Sequence, residues 1–236
     1  MAQIPAIRMP PGVTLLRHLG QFQARSIIVK TSAISNQHIH NLCVFCGSRD
    51  GANPAFMAAA RSLGEQLGTA GIGLVYGGGS LGMMGEVARS TLSAGGRVTG
   101  IIPEFLVKAE AMLNDCDEVI ITKDMHERKR LMFERSDAFV ALPGGIGTLE
   151  ELVEQLTWAQ LGRHQKPIVV ANIDDFWTPL VHLLDHMRGE VYIRGDLDVR
   201  YRLVEQAGEI VPAVLEMAVA AGAGIVSGDP AITSRL

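Results

Sequence analysis

The sequence predicts an α/β protein built on a doubly wound parallel sheet, with helices on both faces and a single domain. Three observations carry this. Short apolar runs alternate with stretches whose apolar residues recur at helical spacing, the pattern of βαβ units. The runs hold almost no polar residues, as strands buried on both faces require. The length, 236 residues, suits one domain with a full core.

The elements follow in order. Residues 42–45 form the first strand, which ends at Gly47 and Ser48. Residues 54–68 form a helix, with Phe56, Ala59, Ala60, Leu63 and Leu67 on one face. Residues 72–76 are the second strand, closed by Gly77, Gly78 and Gly79. A helix over 83–94 stops at Gly95 and Gly96, and a third strand over 98–102 stops at Pro103. A short strand is expected at 118–121, a helix at 125–135 and a strand at 138–142. A helix over 148–161 and a strand over 168–171 come next. The last helices, 177–187 and 211–221, flank a short strand expected near 209–211. This core domain spans residues 41–225, and 226–236 form a tail.

Residues 1–40 stand apart as an N-terminal extension. Residues 1–49 hold no Asp or Glu, but carry Arg8, Arg17, Arg25, Lys30 and Arg49. Such a start is like a transit peptide. Pro5, Pro10 and Pro11 interrupt any long amphipathic helix there, so a poorly ordered extension is the preferred expectation.

Composition narrows the function. With 47% hydrophobic and 19% charged residues the chain is globular rather than disordered. A net charge of −4 argues against a general nucleic-acid binder but permits a local anion site. No apolar run reaches the roughly 18 residues of a membrane span, and the cytoplasm is the default compartment. Cys43 and Cys46 have C-x-x-C spacing, but no second pair follows, so buried structural thiols are expected rather than redox or metal chemistry.

Ligands of such sheets sit at the carboxyl ends of strands, where two glycine-rich turns fall. The segment Pro143-Gly-Gly-Ile-Gly-Thr-Leu-Glu-Glu151 follows a strand and opens a helix. Its glycines allow close backbone approach, and exposed helix amides favour an anion such as phosphate. Thr148 and Glu151 also have the spacing of a capping box, but a capping box does not need three glycines and a proline before it. The second turn, Gly77-Gly-Gly-Ser-Leu-Gly82, fits G-x-G-x-x-G, with Glu104 downstream for a ribose hydroxyl. It follows the second strand rather than the first, and a loop near a mononucleotide would look the same. Met125-His-Glu-Arg-Lys-Arg130 puts three consecutive cations on a helix that leads into the strand before residue 143. Two of them are expected to be solvated; Arg128 or Lys129 is placed to reach a phosphate or ribose. His126 reads as structural. There is no P-loop, no nucleophile elbow and no H-E-x-x-H motif.

Together these motifs resemble the LOG ("lonely guy") family. The likeness is carried by Cys43-Val-Phe-Cys-Gly-Ser48, Tyr76-Gly-Gly-Gly-Ser-Leu-Gly-Met-Met-Gly85, Met125-His-Glu-Arg-Lys129 and the 143–151 segment. Leu156-Thr-Trp-Ala-Gln-Leu-Gly162 adds to it. The resemblance covers roughly residues 41–211. It implies a cytokinin riboside 5′-monophosphate phosphoribohydrolase, in a family formerly labelled lysine decarboxylases, with a Rossmann-like fold and a homodimer whose active site lies near the interface. None of the five lysines stands in a motif for aldehyde-bearing lysine chemistry. The family's essential arginine and glutamate fall on Arg128 and Glu151. Its nucleotide-binding positions fall on Glu110, Lys129, Gly145, Ile146, Gly147, Thr148, Leu149, Glu150 and Thr157. Gly144 belongs to the same phosphate loop, and Gly77, Gly78, Gly79 and Ser80 are expected to line the pocket. One departure is the stretch Asn172-Ile-Asp-Asp-Phe-Trp-Thr-Pro179, where Asp175 stands in place of the family's glycine. The N-terminal extension lies outside the family core.

The reading this supports is hydrolysis of the N-glycosidic bond of a purine nucleoside 5′-monophosphate, adenine or N6-modified adenine, to free base and ribose 5-phosphate. The loop at 143–148 would hold the phosphate, Thr148 adding its hydroxyl and Lys129 its charge. Glu151 would face an oxocarbenium-like ribose and its attacking water. Arg128 would anchor Glu151 and the ribose hydroxyls, and Glu110 would contact ribose or base. No metal or redox cofactor is required. Two other classes compete: a non-catalytic nucleotide-binding or sensing module, and a dinucleotide-dependent oxidoreductase built on residues 77–82.

Overall fold

The structure is a computed structural model that describes residues 39–107, 113, 115–193 and 199–226. Glu110, most of the N-terminal extension and the tail from 227 lie outside the described residues.

Among the described residues, seven strands and six α-helices form one parallel sheet and its cover. The strands are β1 (Asn41–Phe45), β2 (Gly73–Tyr76), β3 (Val98–Pro103), β4 (Glu118–Thr122), β5 (Ala138–Ala141), β6 (Ile168–Ala171) and β7 (Arg202–Val204). The helices are α1 (Pro54–Ala70), α2 (Gly82–Ser93), α3 (Met125–Glu134), α4 (Ile146–Gln160), α5 (Thr178–Gly189) and α6 (Ile210–Val226). The strand order is β4-β3-β2-β1-β5-β6-β7, every pair parallel. The chain builds outward from β1 to one edge, then returns to β5 and builds to the other. The order therefore reverses between β1 and β5, where such sheets open a crevice.

The doubly wound expectation holds, and the pleat explains how. Along β1, Leu42 and Val44 pack on one face with α1, α2 and α6, while Cys43 and Phe45 pack on the other with α3, α4 and α5. Cys43 and Cys46 are free and join cores on opposite faces, so they share no common site. Burial, seconded by the charge of Glu151, pushes both thiols well above the ordinary range.

The last strand differs from expectation. It is Arg202–Val204 rather than residues 209–211, because two of its three side chains are exposed at the sheet edge and no apolar run marks it. Glu209 belongs instead to a capping box with Gln206, and Ile210 opens α6. Ile210, Val211 and Val214 are buried at helical spacing.

The turn with Asp175 does form. Asp174 and Asp175 both take positive φ, 46° and 61°. The Asp175 carboxylate accepts from Thr178 Oγ1 at 3.0 Å, and Asn53 Nδ2 donates to Asp174 at 2.7 Å. Aspartate tolerates the left-handed region because its carboxylate bonds locally. Asp175→Gly removes backbone strain but loses this bond, so it should stay within about 1 kcal/mol of the parent. Asp175→Ala keeps the strain without the bond and should cost about 1–2 kcal/mol in urea unfolding. Equal stability of the two variants would refute this account.

Candidate active site

The carboxyl ends of β1 and β5 run into two glycine loops that clasp each other. The amide of Gly47 donates to Pro143 O at 3.1 Å. A Cβ at Gly47 would stand 3.5 Å from the Cα of Gly144, so the loops meet with almost no side chain between them. Gly144 carries the side chain of Thr148 directly above it: a Cβ there would lie 2.2 Å from Thr148 Oγ1. A cavity of about 310 Å³ opens over these loops, near the lower end of the roughly 300–1,000 Å³ usual for small-molecule sites.

Helix α4 starts in this cavity. Gly145 is its N-cap and supplies no side-chain cap. The first intrahelical bond is Leu149 N to Gly145 O, 3.1 Å. The amides of Ile146, Gly147 and Thr148 therefore have no intrahelical acceptor, and the positive end of the helix dipole is open. Thr148 and Glu151 lie inside the helix, on its buried face with Leu152, Gln155 and Leu156. They do not form the capping box that their spacing allows. At α2 the situation differs, because the first-turn amide of Met84 donates to Gly47 O at 3.2 Å. The first turn of α2 is thus partly closed by the β1 loop, while that of α4 faces the cavity.

Arg128 reaches the same cavity from α3. Asp124 caps that helix, its carboxylate accepting from Glu127 N at 2.8 Å. This cap places Arg128 one turn in, aimed at the sheet. Arg128 is 6% exposed; its guanidinium donates from Nε to Ile101 O at 3.1 Å and lies 3.3 Å from Glu151 Oε1 through Nη1. Gly77 makes room for it, since a Cβ there would sit 2.3 Å from Arg128 Nη2. Glu151 is 8% exposed. A nearly buried arginine–glutamate pair is poor value for stability alone, and here both groups line a cavity.

The positions named by the sequence divide into two sets. Arg128, Gly145, Ile146, Gly147, Thr148 and Glu151 line the cavity, and Gly77 joins them. Gly144 supports Thr148 from beneath. Glu110 lies outside the described residues, and Gly78, Gly79, Ser80, Lys129, Leu149, Glu150 and Thr157 are not part of the cavity lining. Gly78 adopts φ 82° and backs onto Ile102, Gly78 O accepts from Leu113 N, and Ser80 O accepts from Arg89. Leu149 is half-buried against the core, while Glu150 and Thr157 lie on the exposed face of α4. Thr157 Oγ1 bonds Val153 O within its own helix. Lys129 Nζ is held by Glu150 at 2.6 Å and Glu154 at 2.9 Å. Burial works against its charge, but these bonds outweigh it and raise the ammonium's pKa. Sequence reasoning did not nominate Cys46, Gly47, Ser48 or Met84, which also line the cavity. The signal was available for the first three: they follow a strand at the reversal point of the sheet. Among the described residues no cluster of His, Cys, Asp or Glu is arranged to hold a metal.

Comparison with known proteins fits this geometry. A family model described as "possible lysine decarboxylase" matches residues 84–214. A protein of Oryza sativa subsp. japonica named a probable cytokinin riboside 5′-monophosphate phosphoribohydrolase is 49% identical over 155 residues, 66% of this chain and 70% of that one. This chain belongs to the LOG family. An Arabidopsis thaliana member named a cytokinin riboside 5′-monophosphate phosphoribohydrolase is 44% identical over 165 residues, covering 70% of this chain and 77% of its own. Among solved structures, the Moco carrier protein of Chlamydomonas reinhardtii superposes with a TM-score of 0.57 at 21% identity, covering 76% of this LOG chain and 98% of the carrier. At that identity the likeness speaks for the Rossmann-like fold alone. Among the described residues no helix of this LOG-family chain is long and apolar enough to cross a membrane.

Proposed function

We propose that this LOG-family chain hydrolyses the N-glycosidic bond of a purine nucleoside 5′-monophosphate, AMP or an N6-substituted analogue, giving free base and ribose 5-phosphate. The observation that carries the reading is the Arg128–Glu151 pair beside the open first turn of α4. The names of the relatives support a nucleotide 5′-monophosphate as substrate.

In this reading the amides of residues 146–148 and the hydroxyl of Thr148 take the 5′-phosphate. Holding the phosphate fixes the ribose relative to Glu151 and turns remote binding energy into orientation at the bond that breaks. As the base leaves, positive charge grows on the ribose ring. The Glu151 carboxylate stabilises it and directs water to the anomeric carbon. Arg128 holds Glu151 in place and offers its remaining N–H groups to the ribose hydroxyls. A module that only captured phosphate would need the α4 amides but not a buried glutamate beside them. A dinucleotide site on residues 77–82 would need an open first turn in α2, which the β1 loop partly closes.

A homodimer belongs to the same proposal. Ile146, Val153 and Leu161 are 82%, 41% and 71% exposed along α4, an apolar stripe for a second copy to cover. Analytical ultracentrifugation tests this, and a monomer at micromolar concentration refutes it.

The activity test is to incubate the protein with AMP, GMP, CMP and isopentenyladenosine monophosphate and separate the products. Free base with equimolar ribose 5-phosphate from an adenine nucleotide is expected. Binding without base release would favour the sensing module.

A further inference from the structure

A second cleft lies at the far end of α4 from its open first turn. Its volume is about 470 Å³, larger than the catalytic cavity at about 310 Å³. Helix α4 has 15 residues, so its two ends stand about 22 Å apart at 1.5 Å per residue. The cleft opens at the amino edge of the sheet, where α4 stops, residues 162–167 lead into β6, and α6 passes on the other side. We propose that this cleft is a second ligand site, which takes an organic carboxylate with an apolar body. The proposal stands apart from the phosphoribohydrolase reading and goes beyond it.

Small residues leave the space open. Ala159 on α4, Gly162 in the turn after it, and Ala220 and Ala221 on α6 all line the cleft and carry no more than a methyl each. Gly162 takes φ 73° and turns the chain back toward β6, and a Cβ there would meet nothing within 4 Å. Leu161, Pro167 and Met217 supply apolar wall. An apolar wall with a few polar groups is the usual form of a small-molecule site. Leu161 also belongs to the exposed stripe of α4, so a second copy of the chain is the competing occupant.

The charge of the lining selects the ligand. Lys166 and Arg200 line the cleft and, among the described residues, no Asp or Glu does, although the whole chain carries −4. The two cations have different parts. Lys166 Nζ donates to Phe133 O at 2.6 Å and Ser136 O at 2.7 Å, so it supplies a fixed charge. Burial holds its pKa below the usual lysine range, and an anion in the cleft would support the ammonium. Arg200 has no hydrogen-bond or ion-pair partner among the described residues and is exposed, so its fork is available. His164 is part of the wall, its ring nitrogens taken up by Gln155 O and the Lys166 amide. A carboxylate suits this site better than a phosphate. The helix end here is a C-terminus, and the amides of Leu161, Gly162 and Arg163 are bonded back to Thr157, Ala159 and Trp158. It therefore lacks the open amides that favour phosphate at the other end of α4, while one guanidinium can pair a planar carboxylate through two N–H groups.

The probe is octanoate, with octan-1-ol as the same body without charge and acetate as the same charge without the body. Calorimetry is expected to show a single octanoate site per chain, with octan-1-ol and acetate each about 10-fold weaker or more. Arg200→Ala should weaken octanoate about 10-fold, and Arg200→Lys should weaken it less. Ala220→Trp, which fills the cleft from an exposed position on α6, should abolish binding. Both positions are exposed or on the rim, so these variants should melt within a few degrees of the parent. Excess ribose 5-phosphate should leave the octanoate Kd unchanged. The proposal is overturned if the parent does not bind octanoate, or if Arg200→Ala and Ala220→Trp bind it as the parent does. Competition by ribose 5-phosphate would also overturn it, because the carboxylate would then sit in the catalytic cavity. If octanoate fails to bind and Ala220→Trp turns a sedimenting dimer into a monomer, a second copy covers the cleft instead. Absence of base release from AMP would defeat the functional reading and leave each of these outcomes as it stands.

Discussion

Glu151→Gln lowers kcat for base release by about 10³-fold or more, while the protein melts within a few degrees of the parent. The amide matches the carboxylate in size and can still accept from Arg128, so the nearly buried site keeps its shape. What it loses is the negative charge that the ribose cation needs and the basicity that directs water, and groups in such roles contribute about 10²–10⁴-fold. Arg128→Ala should cost a similar factor. It also leaves the Glu151 carboxylate beside an empty space, and breaking a buried pair destabilises by about 3–5 kcal/mol. Its turnover is therefore compared only at temperatures where circular dichroism reports a folded protein. The combined variant should be little worse than either alone, because the two residues act as a unit. Turnover by Glu151→Gln above a tenth of the parent would remove Glu151 from the chemistry and return it to a structural role.

Gly77→Ala abolishes most activity by a different route. The added methyl would stand 2.3 Å from Arg128 Nη2 and 3.1 Å from the sulfur of Met84. Both are ends of flexible side chains, so the fold can yield at modest cost. Arg128 yields by moving its guanidinium, which weakens the bond to Ile101 O and the approach to Glu151. A loss of about 10²-fold in kcat with a melting temperature within about 5 °C of the parent is the expected pair of results. Gly82→Ala makes the contrast. There φ is 59° and the methyl would meet the backbone of Ser48 and Arg49 at 2.3–2.5 Å, so stability should fall along with activity. Full activity in Gly77→Ala would show that the seat of Arg128 is wider than the structure gives.

Much of this was written in the chain. Apolar runs and helical periodicity delivered β1, β2, β3, β5 and β6 and the helices between them, because strands buried on both faces need continuous apolar residues. They failed at the edge. Arg202–Val204 has one side exposed to solvent and no pattern to announce it, and the apolar Ile210 and Val211 that suggested a strand are the buried start of a helix. The site was legible where backbone chemistry demands special residues. Glycine at 144 marks a place where a side chain must be absent, since a Cβ there would meet Thr148, and the family resemblance paired Arg128 with Glu151 before any geometry was known.

The sequence nominated the residues that have the chemistry, the glycine loops through rules that act within one turn and Arg128 with Glu151 through the family resemblance. It could not determine direction. Thr148 and Glu151 have the spacing of a cap, yet α4 begins at Ile146 and carries both onto its buried face. Lys129 follows Arg128, yet one turns to the cavity and the other to Glu150 and Glu154. Gly77 and Gly78 are neighbours, yet the first seats a guanidinium and the second backs onto Ile102. Consecutive helical residues point about 100° apart, so which of two adjacent cations lines the cavity depends on how α3 is set against the sheet. That setting comes from contacts with Ile101, Glu151 and Trp158, which lie far from α3 in sequence and meet it only once the chain has folded.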